Sequence, residues 1–384
     1  MPNRAWSLLA VALAFAVPQR LAAQTDIAVG DVKVRLTGRV QVQFNTTSVD
    51  EGDLAGRDRV PFSTFETRRV RFGVEVEIDD WISGEIEPEY ALGDVTLRNA
   101  YLNFAFDDRF ELRAGQFKKP FSLINLTSAT QIIPIERGVR IRGLADAYRI
   151  ASAPDPISDD FIDLGGNPII PEEQNILSEL RYIGYGLGAM AHGEFSRFHY
   201  GIGIFNGAGA NRLDDTDGKS FAGRIAFVPW KELPLVLGIS GAYQEFLFER
   251  RILDDRVEVE GDGAALEIDA EWGSFRRPGL HLVLEGALGG NIVVDGNFLA
   301  GQGIAAWFHP MAGGRLEGIE PLFRASWADV RRNGSGDSGL LVTPGLNLYF
   351  FGRNRFMLNW DIFFPRDERF DTENALRAQA QLYF

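Results

Sequence analysis

Cysteine is absent from all 384 residues, which removes a disulfide framework, thiol nucleophiles and thiolate metal sites together. Lysine is nearly as scarce: five occur, at 33, 118, 119, 219 and 231. The four histidines, His192, His199, His281 and His309, sit on separate segments. No His-Glu-x-x-His pair and no Gly-x-Ser-x-Gly elbow accompanies them, so neither a zinc hydrolase nor a serine hydrolase is expected. Gly218-Lys219-Ser220 has the end of a phosphate loop, but Leu213 stands where that motif needs glycine. Asp214, Asp215 and Asp217 miss the spacing of a calcium loop and read as a solvated acidic turn. No enzyme, metal or cofactor is implied. Beyond the N-terminus, no apolar run reaches the roughly 20 residues that a membrane-spanning helix needs.

The N-terminus itself carries Arg4, an uncharged run from Ala5 to Val17, then Pro18 and the small residues Ala22 and Ala23. That order is expected of a secretory signal peptide over residues 1–23, leaving 24–384 as one exported domain. The formal net charge is -14; losing Arg4 and Arg20 with the signal would make it -16. Such acidity argues against nucleic acid as a partner. Hydrophobic residues at 45% and charged residues at 24% look soluble. A barrel with one face in lipid and one in water has the same balance.

What the chain does contain is alternation. Val32, Val34, Leu36, Val40, Val42 and Phe44 interleave with Lys33, Arg35, Thr37, Arg39, Gln41 and Gln43. A period of two wets one face of a strand and gives the other to hydrocarbon. The pattern recurs near 70–78, 82–90, 102–106, 110–116, 183–192, 197–205, 220–228 and 235–247. It continues near 264–272, 280–288, 298–308, 319–328, 340–350, 356–364 and 374–384. With the first strand, that makes sixteen. Turns such as Asp79-Asp80 and Asp107-Asp108 alternate with longer connections, as outer-membrane barrels require. The expected fold is all-β: a transmembrane antiparallel β-barrel of about 16 strands, wide enough for a water-filled lumen. A secreted soluble β-sandwich is the alternative fold. Its dry core leaves little use for dense rows of arginine and glutamate on the second strand face.

One connection stands apart. Residues 117–181 hold six prolines and cannot be a spanning strand. A loop this long within an ordered fold is usually functional, and this third outer loop is expected to fold inward as a constriction. The last strand, Leu376–Phe384, should close the barrel against residues 32–44, bringing the inward Arg377 beside Lys33, Arg35 and Arg39.

Two stretches carry a family resemblance. "RRVRFGVEVEIDDWISGEIEPEYALGDVTLRNAYLNF", beginning at Arg68, and "ELRAGQFKKPFSLINLTSATQIIPIER", ending at Arg137, resemble the phosphate-selective porin O/P family of outer-membrane channels. Gly115–Ser122, Gly-Gln-Phe-Lys-Lys-Pro-Phe-Ser, is the strongest piece. The resemblance implies a sixteen-stranded channel, a homotrimer, a loop folded into the lumen and basic residues that bind an anionic solute such as phosphate. Likeness to outer-membrane barrels also implies that Phe384 is read by the barrel-assembly machinery.

Charge-assisted hydrogen bonds must replace the water that a permeating anion sheds. The inward basic residues that alternation nominates are Lys33, Arg35, Arg39, Arg69 and Arg71, with Arg355 and Arg377 from the last two strands. Lys118, Lys119, Arg137, Arg140 and Arg142 come from the long loop. The competing reading is a general diffusion porin of mixed charge. The long loop carries Glu136, Asp146, Asp155, Asp159, Asp160, Asp163, Glu172, Glu173 and Glu179, while Glu85, Glu87 and Glu89 line one strand and Glu267, Asp269 and Glu271 another, so arginines facing carboxylates would orient solutes without selecting one.

Overall fold

The computed structural model describes residues 25–48, 62–79, 81–91, 94–137, 176–214, 217–252, 255–291, 296–332, 335–366 and 372–384. The expected signal peptide, 1–23, lies outside these residues. The chain runs through β1 (Thr25–Val29), β2 (Val32–Ser48), β3 (Phe62–Ile78), β4 (Ile82–Ala91), β5 (Asp94–Asp107) and β6 (Phe110–Lys118). After the one-turn helices α1 (Leu123–Leu126) and α2 (Ile176–Glu179) come β7 (Tyr185–Phe195), β8 (Phe198–Asn206), β9 (Lys219–Phe227) and β10 (Leu235–Ile252). The remainder is β11 (Asp255–Trp272), β12 (Gly279–Asn291), β13 (Gly296–Pro310), β14 (Gly318–Arg332), β15 (Ser335–Tyr349), β16 (Arg355–Pro365) and β17 (Glu373–Tyr383).

Each strand from β2 to β17 pairs antiparallel with the next, and β17 pairs back onto β2, so sixteen strands form a closed ring. Closure leaves no sandwich and no free edge. Every alternating segment identified in the sequence overlaps one of these strands, several running one or two residues past its end.

Burial in the ring is inside-out. Gln41 and Gln43 are 0% exposed while Val42 between them is 38% exposed. Ile86, Leu102, Ile202 and Ile268 are exposed on other strands, and Trp81, Trp307 and Trp360 join them. In water that surface would aggregate; in a bilayer it is a lipid-facing band with aromatic residues at its margins. No helix among the described residues is long and apolar enough to cross a membrane.

Closure differs from expectation in register. β17 pairs with the upper part of β2, Tyr383 facing Arg39 and Arg377 facing Asn45. The lower edge of β2 is taken by β1, an unanticipated strand whose Thr25 faces Leu36 and whose Val29 faces Val32. Phe384 ends the ladder there, exchanging backbone hydrogen bonds with Gly38 at 2.8 and 3.0 Å. Arg377 is therefore not beside Lys33, Arg35 and Arg39. It stands six residues along from Arg39, about 20 Å at the rise of a strand.

Two β-bulges alter which residues face inward. Gln41 faces Arg69 but Val42 faces Thr67, so Arg68 is the extra residue and points into the lumen beside Arg69. Glu87 faces Asn99 and Pro88 faces Leu97, which makes Arg98 the second such residue. A bulge turns an unpaired residue out of the alternating phase.

Gly115 sits in β6 at φ +130°, where an added Cβ would overlap the Ala100 carbonyl oxygen of β5. Gly115→Ala should destabilise the barrel by about 1–3 kcal/mol of backbone strain plus the steric overlap. The compact, heat-modifiable gel species should then convert to the unfolded band at a lower temperature; an unchanged conversion temperature would contradict the close approach.

Candidate functional site: an inward loop and the passage beside it

Past Lys118 the chain turns into the lumen. Lys119, Pro120, Phe121 and Ser122 are buried, and Ser122, at φ +70°, caps α1 by accepting a hydrogen bond from Asn125 N. Ile124 and Ile133 then pack on Val283, Ile304, Ala306 and Leu322. Those four face the lumen from β12, β13 and β14, between inward polar residues such as His281, Glu285, Gln302, Glu320 and Arg324. The wall is hydrocarbon where these two isoleucines rest on it.

Elsewhere the wall binds the loop through its backbone. Gln41 donates to Ala129 O at 3.1 Å, Gln381 to Thr130 O at 3.1 Å and Arg355 to Ile132 O at 2.7 Å. Asn347 donates to Ile133 O at 2.9 Å, and Asn359 Oδ1 accepts from Ile135 N at 2.7 Å. A non-repetitive segment at membrane depth needs such partners, because each buried amide or carbonyl left unpaired is costly.

Glu136 completes the attachment. Arg68 Nε donates to it at 2.8 Å, Arg69 at 3.0 Å and Gln43 at 2.8 Å, while Arg324 holds its backbone carbonyl at 2.7 Å. Burial alone would raise the Glu136 carboxyl, but Arg68 and Arg69 outweigh it and hold the group well below the usual carboxylate range. The β3 bulge makes this possible, since two consecutive arginines reach one carboxylate only when one is out of phase.

The nominated basic residues divide into groups. On the sealed side are Arg69, Arg355 and Arg377, the last donating to Asp361 at 2.8 Å. Lys33 pairs with Glu77 at 3.5 Å and Arg35 with Glu75 at 3.2 Å, both partly exposed at the end where the termini lie. Lys119 is buried, donating to Arg181 O and Gln244 Oε1, each at 2.6 Å. Arg39 bonds Glu87, and Arg71 bonds Glu87 and Glu89. Lys118 donates to Asn125 O and Thr127 O, and Arg137 to Ile124 O at 2.8 Å and to Thr127 O. Arg140 and Arg142 lie outside the described residues.

Between the loop and the opposite wall remains a cavity of about 600 Å³. Seven cationic side chains line it: Arg39, Arg71, Lys118 and Arg137, which the sequence nominated, and Arg98, Arg113 and Arg224, which it did not. Glu85 and Glu87 are the carboxylates in the lining. Arg98 was hidden by its bulge; it donates to Glu89 at 2.7 Å and lies over the Tyr185 ring. Arg113 was legible as inward-facing, since it alternates with Leu112 and Ala114. Arg224, bound to Asp269, lies on β9, where the inward phase is otherwise small or uncharged.

Breaking the Glu136 clamp should free the loop. Glu136→Ala leaves two buried guanidinium groups short of their shared counter-ion, a change worth about 3–5 kcal/mol. Single-channel recordings should show larger, noisier conductance steps at neutral pH. Because the folded-state carboxyl titrates lower than the unfolded one, its stabilisation is complete above the ordinary carboxylate range of about 4.3 and is lost as pH falls through the depressed value. Wild-type channels should therefore stay quiet at pH 5 and pH 7 and become noisy only in acid below that range; a variant no noisier than wild type at pH 7 would refute the clamp.

A sequence model described as phosphate-selective porin O and P matches residues 34–260. No curated protein matches the chain. Among solved structures, the anion-selective porin from Comamonas acidovorans is similar at a TM-score of 0.59 and 12% identity, over 92% of this chain and 100% of that one. The outer-membrane channel DcaP of Acinetobacter baumannii gives 0.56 and 11%, over 92% and 99%. The trimer form of in-vitro folded OmpT of Vibrio cholerae gives 0.53 and 12%, again over 92% and 99%. At these identities the likeness is one of fold.

Proposed function

The chain belongs to the phosphate-selective porin O and P family of outer-membrane channels, and within that non-enzymatic role we propose that it passes small anions in preference to cations. The observation that carries this reading is the charge of the passage. Among the described residues seven cations face two carboxylates across the lining, and adding Glu89, Glu267 and Asp269, which pair with lining arginines from behind, still leaves seven against five. In a narrow, low-dielectric channel a small surplus of one sign is enough to bias which ion enters. Phosphate is the anion that the family's description nominates. The near balance of charge supports the second reading, a general porin in which paired arginines and glutamates set a transverse field.

Export by a cleaved signal over residues 1–23, recognition of Phe384 during assembly and a homotrimeric state complete the proposal. The trimer form of OmpT supports the last of these by analogy of fold.

Reversal potentials of the purified barrel in planar bilayers under a tenfold potassium chloride gradient should carry the sign of chloride preference. That preference should shrink as ionic strength rises and the lining is screened. Added phosphate should reduce the chloride current. A potassium preference would sink the anion reading, and anion preference without phosphate block would remove phosphate from it.

A further inference from the structure

Arg113 differs from the cations around it. Arg39, Arg71, Arg98 and Arg224 each touch a carboxylate. Among the described residues Arg113 touches none. Its Nε donates to Asn103 Oδ1 at 3.3 Å, its guanidinium lies 4.2 Å from the Tyr101 ring centroid and 5.8 Å from that of Phe117, and it lines the cavity. Among the described residues its terminal nitrogens meet no hydrogen-bond partner and face the passage. Asn103 is itself fixed: His192 Nε2 meets the same oxygen at 2.8 Å, and Asn103 Nδ2 donates to Glu111 at 2.6 Å. It is a positioning residue for Arg113.

Carbon flanks that fork on one side, in a passage whose other lining residues are mostly polar or charged. Phe117 is braced edge-on against Tyr101 and Phe205, with ring centroids 6.2 and 5.4 Å apart. Pro120 and Leu126 of the inward loop and Met190 of β7 also line the space. A phosphate needs several uncommitted donors around its oxygens to replace lost hydration, and four of the arginines in this lining already hold carboxylates. A carboxylate needs one planar fork, and an apolar body attached to it gains from the carbon wall.

We propose that the passage holds a subsite for organic monocarboxylates with an apolar or aromatic body, centred on Arg113 and flanked by Phe117, Pro120, Leu126 and Met190. The inference rests on the channel reading above and names the solute class that its narrow part favours. Arg113 takes the carboxylate through its terminal nitrogens. Stacking on Tyr101 keeps the guanidinium flat and in register, so the site distinguishes arginine from lysine.

Benzoate and inorganic phosphate, each added to one side of a bilayer holding the wild-type barrel, decide the matter as blockers of chloride current. Benzoate should block at about one-tenth the concentration of phosphate, the gain expected from burying a small apolar face. Arg113→Gln should bring the benzoate-to-phosphate ratio close to one, and Arg113→Lys, which keeps charge but loses the fork and the stack, should recover less than half of it. Phosphate blocking as well as benzoate in wild type, or a ratio indifferent to Arg113→Gln, would overturn the subsite. A potassium-selective barrel still blocked by benzoate through Arg113 would overturn the anion-channel reading and leave the subsite standing. The wild-type comparison needs no variant, so poor folding of either one does not shield the inference.

Discussion

A backbone amide or carbonyl left unpaired in hydrocarbon costs several kcal/mol, and the whole architecture answers to that constraint. Strands satisfy it only if the sheet has no edge, so β17 must return to β2. Once the ring is closed, side chains have two solvents to choose between. Outward positions take leucine, isoleucine, phenylalanine and tryptophan, and inward positions take the glutamines, arginines and glutamates that a soluble protein would keep outside. The end of the chain obeys the same rule: β17 stops short, and β1 folds back to pair the stretch of β2 that would otherwise be open.

The inward loop extends the constraint from the wall to the lumen. A segment without regular structure can run at membrane depth only where something pairs its backbone, and here the wall does so with side chains from β2, β14, β15, β16 and β17. Glutamine and asparagine suit this task because they donate to carbonyls without needing a charge in return, whereas Arg324 does so with its charge met by Asp361. The consequence is functional. By sealing itself to one half of the wall, the loop assigns the solute path to the other half, formed by β3 to β9 with Arg39 of β2. Residues that look equivalent along the sequence are thus separated: Arg69 and Arg377 become structural, and Arg71 and Arg39 face the passage.

Strand positions were legible because a period of two survives any register, and Gly115–Ser122 marked where the loop begins. The loop's seat was legible in principle as well: Val283, Ile304 and Leu322 are apolar on a phase that is polar elsewhere. Arg68 and Arg98 were not. Strict alternation assigns both to lipid, and only a bulge, which depends on the partner strand, turns them inward. Register at the seam was likewise invisible, because nothing in 374–384 tells whether it pairs with 32–44 or, as observed, with 39–48. Partnerships were hardest of all. Arg39 and Glu87 are 48 residues apart, and their meeting depends on β3 lying between them.

The scarcity of lysine acquires a meaning from this geometry. A lysine ladder would present mobile point charges on flexible stems, free to follow an ion. The passage instead has six arginines and one lysine in its lining, several of them fixed by carboxylates or aromatic rings. Planar guanidinium groups held in this way create a fixed field whose shape does not relax toward each solute. Paired members contribute to that field but cannot surrender their hydrogen bonds to a passing anion without leaving a carboxylate behind. Entry is therefore biased by the whole lining, whereas direct contact falls to an arginine whose terminal nitrogens meet no carboxylate among the described residues, Arg113 on its tyrosine.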